Sequence, residues 1–298
     1  MKPVNSRNCK VITTYFGRRF SYPENVYDTI EMLKDNIQNE INLNPGVDNL
    51  DVIIVNHNCG VKIGNDYINS INGLKTYCGV VKVIHRPWEE GRGISLESMN
   101  YAFKILHNVY DYWFFQEDDY KVCEENYYSQ GISMLKDNIA FIGYDTDTWK
   151  DLKHTGDETK RKLNLIKYGS LLPKLLIYGL SHTKRFLKII NSTIDILNQE
   201  KIPFCPNMLG LTHRRYLQEV INLRGELPYP NIKHNREKGL QLKNPFKIIK
   251  WSVDYVMWYV SAFVFGEIEF TRIYYDLGYR LENYTHKNKV IHKYIKRI

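Results

Sequence analysis

The sequence predicts an α/β fold with a mostly parallel central sheet and helices on its flanks. In the first half of the chain, short apolar runs alternate with segments whose apolar residues recur at helical spacing. Several of these runs are continuously apolar, which is typical of strands buried on both faces of a sheet. Strands interleaved with amphipathic helices favour parallel pairing through right-handed crossovers. With 298 residues, of which 43% are hydrophobic, the chain can bury a sizeable core, and we expect one domain over 1–298.

Five strands are predicted, over residues 10–15, 50–55, 80–84, 112–115 and 139–143. A helix should begin near Pro23, because Ser21 and Glu24 have the spacing of a capping box. The apolar positions of this helix are Val26, Ile30, Leu33, Ile37 and Ile41. Ser95 is predicted to cap a second helix. The apolar stripe of that helix consists of Leu96, Met99, Phe103 and Leu106.

The second half of the chain is less regular. Helical periodicity predicts a helix over 183–197 and a final helix over 266–277, for which Gly278 is a natural C-cap. Prolines cluster in 202–212 and 226–246, so both segments are predicted to be loops.

The charge of the chain suits an anionic partner. The net charge is +8, and the basic tail, residues 285–298, contains five Lys or Arg residues and no acid. A tail of this kind is more often a solvated chain end, and it would also suit peripheral contact with an anionic membrane. We expect no specific nucleic-acid partner.

Cysteine usage and hydropathy indicate the compartment. The five cysteines form no CxxC pair, and the N-terminal segment lacks the apolar run of a secretory signal peptide. Reduced thiols in a cytosol-like environment are therefore expected. The most apolar late segment, 251–265, is shorter than the roughly 20 residues that a membrane-spanning helix needs. We expect a cytoplasmic protein.

The strongest chemical signal is the sequence Gln-Glu-Asp-Asp at 116–119, directly after the apolar strand predicted over 112–115. Three adjacent carboxylates repel one another, and a fold retains such a cluster when a cation binds there. Ligands of open α/β sheets bind at the carboxyl ends of the strands. Hard carboxylate oxygens favour Mg²⁺ or Mn²⁺, and these ions commonly bridge to phosphates. The alternative is a solvated acidic loop.

The segment YDYWFFQEDDYKV resembles the aspartate-rich, DxD-like segment of the inverting family 2 glycosyltransferases. The resemblance implies a Rossmann-like GT-A fold, a divalent cation (Mn²⁺ or Mg²⁺) and a UDP- or GDP-linked sugar donor. By this resemblance, Asp119 would be the direct metal ligand, and Asp118 would contact the ribose or the metal. Glu117 stands where the family more commonly has Asp, and it is the further candidate metal ligand.

A second segment, FGEIEFTRIYYDLGYRLENY at 265–284, is similar to the acidic helix of the same family. Glu267 falls where the family has its catalytic carboxylate, and Glu269 is the alternative. A base there would deprotonate the acceptor hydroxyl as it attacks the anomeric carbon. The simpler interpretation is that both acids complement the dipole of a helix N-terminus.

Other family positions that bind the nucleotide-sugar also have counterparts. The family holds the base in the loop after the first strand, at positions that match Thr14 and Tyr15 here, and Asn56 stands where the family usually has a base-reading Asp. The segment RPWEEGRGISLESMNYAFKI resembles the glycine-containing turn and Asn-bearing helix near the diphosphate. Its matching positions are Gly91, Arg92, Gly93 and Asn100.

The resemblance divides the chain into a nucleotide-sugar-binding half at about 9–145 and an acceptor-side half at about 146–284. It predicts metal-assisted sugar transfer to a glycan or lipid-linked acceptor with inversion, although the sequence leaves retention open. Two alternatives remain. One is a nucleotidyltransferase on a related fold, although the repeated glycines that it needs after the first strand are missing. The other is a non-catalytic module that binds a glycan or an anionic surface.

Overall fold

The structure is a computed structural model that describes residues 6–17, 26–58, 60–87, 94–136, 138–144, 209–229, 269–284 and 290–292. The helix predicted over 183–197 lies outside these residues, as do Gly91, Arg92, Gly93 and Glu267. The strands are β1 (Asn8–Thr14), β2 (Asp51–His57), β3 (Val81–Arg86), β4 (Tyr112–Glu117), β5 (Tyr120–Val122), β6 (Ile139–Gly143), β7 (Gly210–His213), β8 (Arg280–Asn283) and β9 (Val290–His292). The helices are α1 (Val26–Asn42), α2 (Lys62–Ile71), α3 (Ile94–Leu106), α4 (Tyr127–Met134), α5 (Arg214–Arg224) and α6 (Glu269–Asp276).

Seven strands form a central sheet in the order β3-β2-β1-β4-β7-β6-β8, and β5 pairs with β9 in a small separate sheet. Strand β7 is antiparallel to both of its neighbours, whereas the other adjacent pairs of the central sheet are parallel. The predicted fold class is therefore confirmed. All central strands except β7 end at one edge of the sheet, which we call the carboxyl edge.

The five predicted strands are confirmed as β1, β2, β3, β4 and β6. The loop predicted over 202–212 is wrong at its end, because Gly210 begins β7. This strand has only four residues, and it pairs with β4 and β6, which lie far away in sequence. Its first residue must be glycine, because a Cβ there would clash with the carbonyl oxygen of Ile142. Local composition carries no signal for a pairing of this kind.

The predicted helices beginning near 23, 95 and 266 correspond to α1, α3 and α6. Ser95 is the second residue of α3 and is not its cap, a difference of the size that helix ends commonly show. Gly278 adopts a φ of +83° just after α6, and its backbone N–H donates to the carbonyl of Tyr275. This is the left-handed helix ending that the sequence predicts at Gly278.

Helices cover both faces of the sheet, because successive residues of a strand point to opposite faces. On one face, Trp113 and Phe115 of β4 belong to a core cluster shared with α3, α5 and α6. On the other face, Phe114 packs against Tyr127 and Tyr128 of α4. Helices α1 and α2 cover the same face next to β1 and β2. Within the described part of the chain, no helix has the length and apolar character needed to cross a bilayer.

An ion pair inside the core fixes α1 to the sheet. Lys10 of β1 is fully buried, and its Nζ donates to Glu40 Oε1 of α1 at 2.6 Å. The same ammonium lies 5.2 Å from the ring centroid of Phe114 and 4.9 Å from that of Tyr127. A buried charge is tolerated when it is both paired and hydrogen-bonded. The pair therefore specifies the position of α1 along β1.

Removing one member of this pair should be strongly destabilising. We expect Lys10→Met to lower the free energy of unfolding by about 3–5 kcal/mol, because Glu40 is left as an uncompensated buried charge. The double variant Lys10→Met/Glu40→Leu should recover most of that loss, because it buries no charge. Urea denaturation of the two variants and the wild type provides the comparison. A double variant no more stable than the single one contradicts this account.

Helix α5 begins with a titratable cap. His213 is its N-cap, and the imidazole Nδ1 accepts a hydrogen bond from the backbone N–H of Arg215 at 3.1 Å. Burial lowers the pKa of His213 from its usual value of 6.5, Asp111 opposes this shift, and Arg214 and Arg215 add to it. A protonated Nδ1 cannot accept the capping bond.

His213 should make stability depend on pH. Because its folded-state pKa is lowered, the unfolded chain binds the proton first, and stability is lost as the pH falls from 6.5 through the folded pKa. We expect His213→Asn to weaken this dependence, because Asn caps a helix without titrating. Denaturation midpoints of wild type and variant between pH 8 and pH 5 measure the effect. Parallel pH profiles would contradict it.

Candidate active site

Three acids at the end of the central strand β4 form the acidic turn, which we define as residues 117–119. Glu117 is the last residue of β4, and Asp118 and Asp119 form the turn that leads into β5. Strand β4 lies between β1 and β7, so the turn is in the middle of the carboxyl edge. Glu117 is half-buried, whereas the two aspartates are buried. The predicted position of the acids in the fold is the observed one.

Asp118 is held by the end of β1. The Thr14 hydroxyl donates to Asp118 Oδ2 at 2.7 Å, and the Asp118 backbone N–H donates to the Thr13 carbonyl at 3.1 Å. Thr14 also lies opposite Asn56 in the β1–β2 register, and Asn56 lies opposite His85 of β3. The structure therefore aligns His85, Asn56, Thr14 and Asp118 along the carboxyl edge, and we call these four residues the polar row.

The amide of Asn56 is oriented by its neighbours. Its Nδ2 donates to Asn65 Oδ1 at 2.8 Å and lies 3.2 Å from His85 Nδ1. Asn65 in turn uses its own Nδ2 to donate to Asn58 Oδ1 at 3.0 Å, so its Oδ1 is the acceptor. Asn56 Oδ1 is buried and accepts no hydrogen bond within the part of the chain that the structure describes. The side chain therefore keeps a buried acceptor oxygen in a fixed orientation.

Two contacts of the acidic turn come from residues that the sequence interpretation missed. The fully buried Asn36 of α1 donates from Nδ2 to the Asp118 carbonyl at 2.7 Å. Gln116 Nε2 donates to the Tyr120 carbonyl at 2.8 Å and to Asn36 Oδ1 at 3.3 Å. A polar residue on the apolar face of a helix, beside Leu33 and Ile37, is a signal that could have identified Asn36.

The acidic turn fits a hard divalent cation that is shared with a phosphate ligand. Among the described residues, no group of three or more His, Cys, Asp or Glu side chains could hold a metal ion. Mg²⁺ or Mn²⁺ held by one or two carboxylates and completed by phosphate and water does not need such a group. The carboxylates of Asp118 and Asp119 are the candidate ligands for that arrangement. Their role as metal ligands stays a prediction.

The opposite face of the same edge carries a buried charged group that the sequence interpretation also missed. Arg86 at the end of β3 pairs through Nη1 with Glu97 Oε2 of α3 at 3.0 Å, and its Nη2 donates to His57 Nε2 at 2.7 Å. Tyr15 is almost fully buried, and its ring centroid lies 5.6 Å from that of His57. The charged group ties the start of α3 to the ends of β2 and β3.

Asn100 has a structural contact in α3. Its Oδ1 accepts a hydrogen bond from the backbone N–H of Leu227 at 3.0 Å, so it holds the chain that follows α5. Its predicted contact with the nucleotide-sugar stays a prediction.

Helix α6 leads into the start of β8, and β8 ends at the carboxyl edge. The last turn of α6 is therefore near the opposite edge, and its N-terminus lies toward the carboxyl edge. Its first residue, Glu269, is buried and forms ion pairs with Arg224 of α5 and with Arg272, the latter at 3.9 Å. The structure therefore gives this carboxylate a packing role between two helices. Glu267, two residues earlier, lies outside the described residues, and its catalytic role stays a prediction.

Solved structures similar to this chain include three described as glycosyltransferases. The bifunctional glycosyltransferase WbbM is 12% identical with a TM-score of 0.31, and the match covers 53% of this chain and 26% of WbbM. Mouse xyloside xylosyltransferase 1 is 8% identical with a TM-score of 0.30, over 52% of this chain and 58% of that one. The glycosyltransferase GlyE of Streptococcus pneumoniae TIGR4 is 10% identical with a TM-score of 0.28, and the match covers 54% of this chain and 39% of GlyE.

This chain thus spans less than two thirds of each of these proteins. No family model matches the sequence, and no curated protein matches it. TM-scores of this size do not establish a common fold.

The Thr14 hydroxyl should stabilise the protein more than an ordinary buried threonine does. We expect Thr14→Val to lower the free energy of unfolding by roughly 2–3 kcal/mol, because a buried carboxylate loses a donor. Thr212→Val is the matched control, because its hydroxyl is also buried but donates to the neutral carbonyl of Ala140 at 2.6 Å. The control should lose about 1 kcal/mol. Equal losses on urea denaturation at pH 7 would contradict a special role for Thr14.

Proposed function

We propose that this protein is a glycosyltransferase that moves a sugar from a nucleotide-diphosphate sugar to an acceptor hydroxyl. The observation that carries the proposal is the acidic turn, which presents adjacent carboxylates in the middle of the carboxyl edge and is anchored by Thr13 and Thr14. Open α/β sheets bind ligands at this edge. The DxD-like sequence at this turn supports a donor that carries a diphosphate.

In this proposal Asp119 and Asp118 hold a Mn²⁺ or Mg²⁺ ion together with the donor diphosphate, and Glu117 is the further candidate ligand. When bound, the ion supplies positive charge against the departing diphosphate. The Thr14 hydroxyl fixes one oxygen of Asp118. Gly91, Arg92 and Gly93 are the proposed contacts of the diphosphate, together with Asn100 of α3.

The polar row supports a base that offers an N–H donor. The Nδ2 of Asn56 is committed to Asn65, so its Oδ1 is the atom left to contact a ligand. An acceptor oxygen pairs with the ring N–H of uracil or guanine, whereas the ring nitrogen of cytosine at the corresponding position is itself an acceptor. UDP- or GDP-linked donors are therefore the proposed class, whereas Tyr15 lies on the opposite face of the edge, against His57.

For the transfer step we propose a single displacement with inversion. The acceptor oxygen forms a bond to the anomeric carbon as the bond to the nucleoside diphosphate breaks, and the hydroxyl proton passes to Glu267. Glu269 is the weaker candidate for this base, because its carboxylate already pairs with Arg224 and Arg272. A glycan or a lipid-linked acceptor is proposed, with the basic tail at 285–298 giving peripheral contact with an anionic membrane.

The decisive experiment measures product release from a panel of UDP-, GDP- and CDP-linked sugars with Mn²⁺ and with EDTA. We expect turnover of one UDP- or GDP-linked donor with release of the nucleoside diphosphate, and loss of that turnover in EDTA. Asp119→Asn should lower kcat/KM by at least about a hundredfold, because it removes a charged ligand of the ion. Asp66→Asn, an exposed position on α2, is the matched control and should retain full activity.

Each other outcome favours a different function. Release of pyrophosphate would identify a nucleotidyltransferase instead. If no donor is turned over and none binds in a metal-dependent manner, the glycosyltransferase proposal is wrong and a glycan-binding or anionic-surface module is the better account.

A further inference from the structure

Two neutral amide side chains donate hydrogen bonds to backbone carbonyls on the buried side of the acidic turn. Gln116 Nε2 reaches the carbonyl of Tyr120 at 2.8 Å, so this side chain spans the turn from the residue before it to the residue after it. Asn36 Nδ2 reaches the carbonyl of Asp118 at 2.7 Å, and Asn36 Oδ1 lies 3.3 Å from Gln116 Nε2. Both side chains are fully buried. We call Asn36 and Gln116 the amide bridge.

The amide bridge can hold the acidic turn against the repulsion among its carboxylates. Three consecutive carboxylates repel one another, and this repulsion favours opening of the turn when no cation is present. A lysine or arginine could hold the turn, but its positive charge would neutralise the carboxylates and compete with a divalent cation. An amide donates to backbone carbonyls without adding charge. The bridge therefore fixes the backbone of the turn without adding positive charge beside its carboxylates.

Helix α1 is anchored on both sides of Asn36. One turn further along α1, Lys10 pairs with Glu40 inside the core. Near the solvent, Lys121 of β5 pairs with Asp35 at 3.0 Å, and Asn39 Nδ2 donates to the Val122 carbonyl at 2.7 Å. Asn36 thus projects from a helix whose position is fixed against both β1 and β5. A donor on a rigid element can hold its acceptor within a narrow range of positions.

We propose that Asn36 and Gln116 are positioning residues that hold the acidic turn in its ligand-binding geometry before any ligand is present. The effect on the turn itself does not depend on what the protein binds. The consequence for cation and donor affinity rests on the proposed function. A preorganised site binds more tightly because the ordering cost is met during folding.

The test compares Asn36→Leu with Asn39→Leu. Both variants replace an asparagine of α1 by a side chain of similar size, and both remove one hydrogen bond to a backbone carbonyl. Asn36→Leu also removes the acceptor of the longer hydrogen bond from Gln116 Nε2, which belongs to the same amide bridge. Only Asn36 contacts the acidic turn. Hydrogen exchange of the backbone N–H groups at 118–120 should become roughly tenfold faster in Asn36→Leu and stay unchanged in Asn39→Leu, because one net hydrogen bond corresponds to about that factor. The Asp118 N–H, which donates to Thr13, is the most direct probe.

The functional arm uses Mn²⁺ alone, followed by the donor that the wild type turns over. We expect the dissociation constant of Mn²⁺ to rise roughly tenfold in Asn36→Leu and to stay at the wild-type value in Asn39→Leu. The KM for the donor should rise in Asn36→Leu while kcat changes less, because the carboxylates themselves are intact. If Asn36→Leu does not fold, Gln116→Met removes the other half of the bridge and is measured in the same way.

The outcomes separate this inference from the proposed function. Equal exchange rates at 118–120 in the two α1 variants overturn the positioning role. Faster exchange in Asn36→Leu, in a protein that binds no Mn²⁺ even as wild type, supports the positioning role and contradicts the metal-dependent function. Faster exchange together with weaker Mn²⁺ binding supports both.

Discussion

Mutual repulsion among the three carboxylates at 117–119 is the constraint around which this site is built. The turn that carries them follows β4, the strand that joins the parallel part of the sheet to β7. Asp118 is buried, and its carboxylate oxygen accepts from Thr14 while its backbone is bonded to Thr13 and Asn36. The Thr14 hydroxyl and the Asn36 amide, which donate to Asp118, are both neutral groups. These contacts hold the backbone and one carboxylate of the turn without adding positive charge, which suits a cation site.

The two faces of the sheet carry different side chains at the carboxyl edge. On the face covered by α1 and α2, the polar row presents hydrogen-bonding groups, and Asn56 has a fixed acceptor oxygen. On the face covered by α3, Arg86 is neutralised by Glu97 and bonded to His57. In the proposed function the first face recognises the base, and the second fixes the start of α3 beside the diphosphate. Alternation of side chains along each strand keeps these two tasks apart.

Two ion pairs, one of them fully inside the core, link the stability of the fold to the geometry of the site. The buried pair of Lys10 and Glu40 positions α1, and α1 carries the asparagine that holds the acidic turn. The pair of Arg224 and Glu269 joins α5 to α6 at the same edge of the sheet. The buried pair of Lys10 and Glu40 is costly to break, because the remaining charge has no partner. A substitution at Lys10 should therefore disturb ligand binding as well as stability.

The sequence by itself determined β1, β2, β3, β4 and β6, the helices α1, α3 and α6, and the acidic turn, because each depends on the order of apolar and polar residues over a short stretch. It could not find β7, whose four residues are a strand only because β4 and β6 bring their backbones to it. Nor could it find the contact between Asn36 and Asp118, which lie 82 residues apart. Hydrogen bonds at such separations exist only after the chain has packed. The tertiary structure therefore decided which polar residues hold the acids in place.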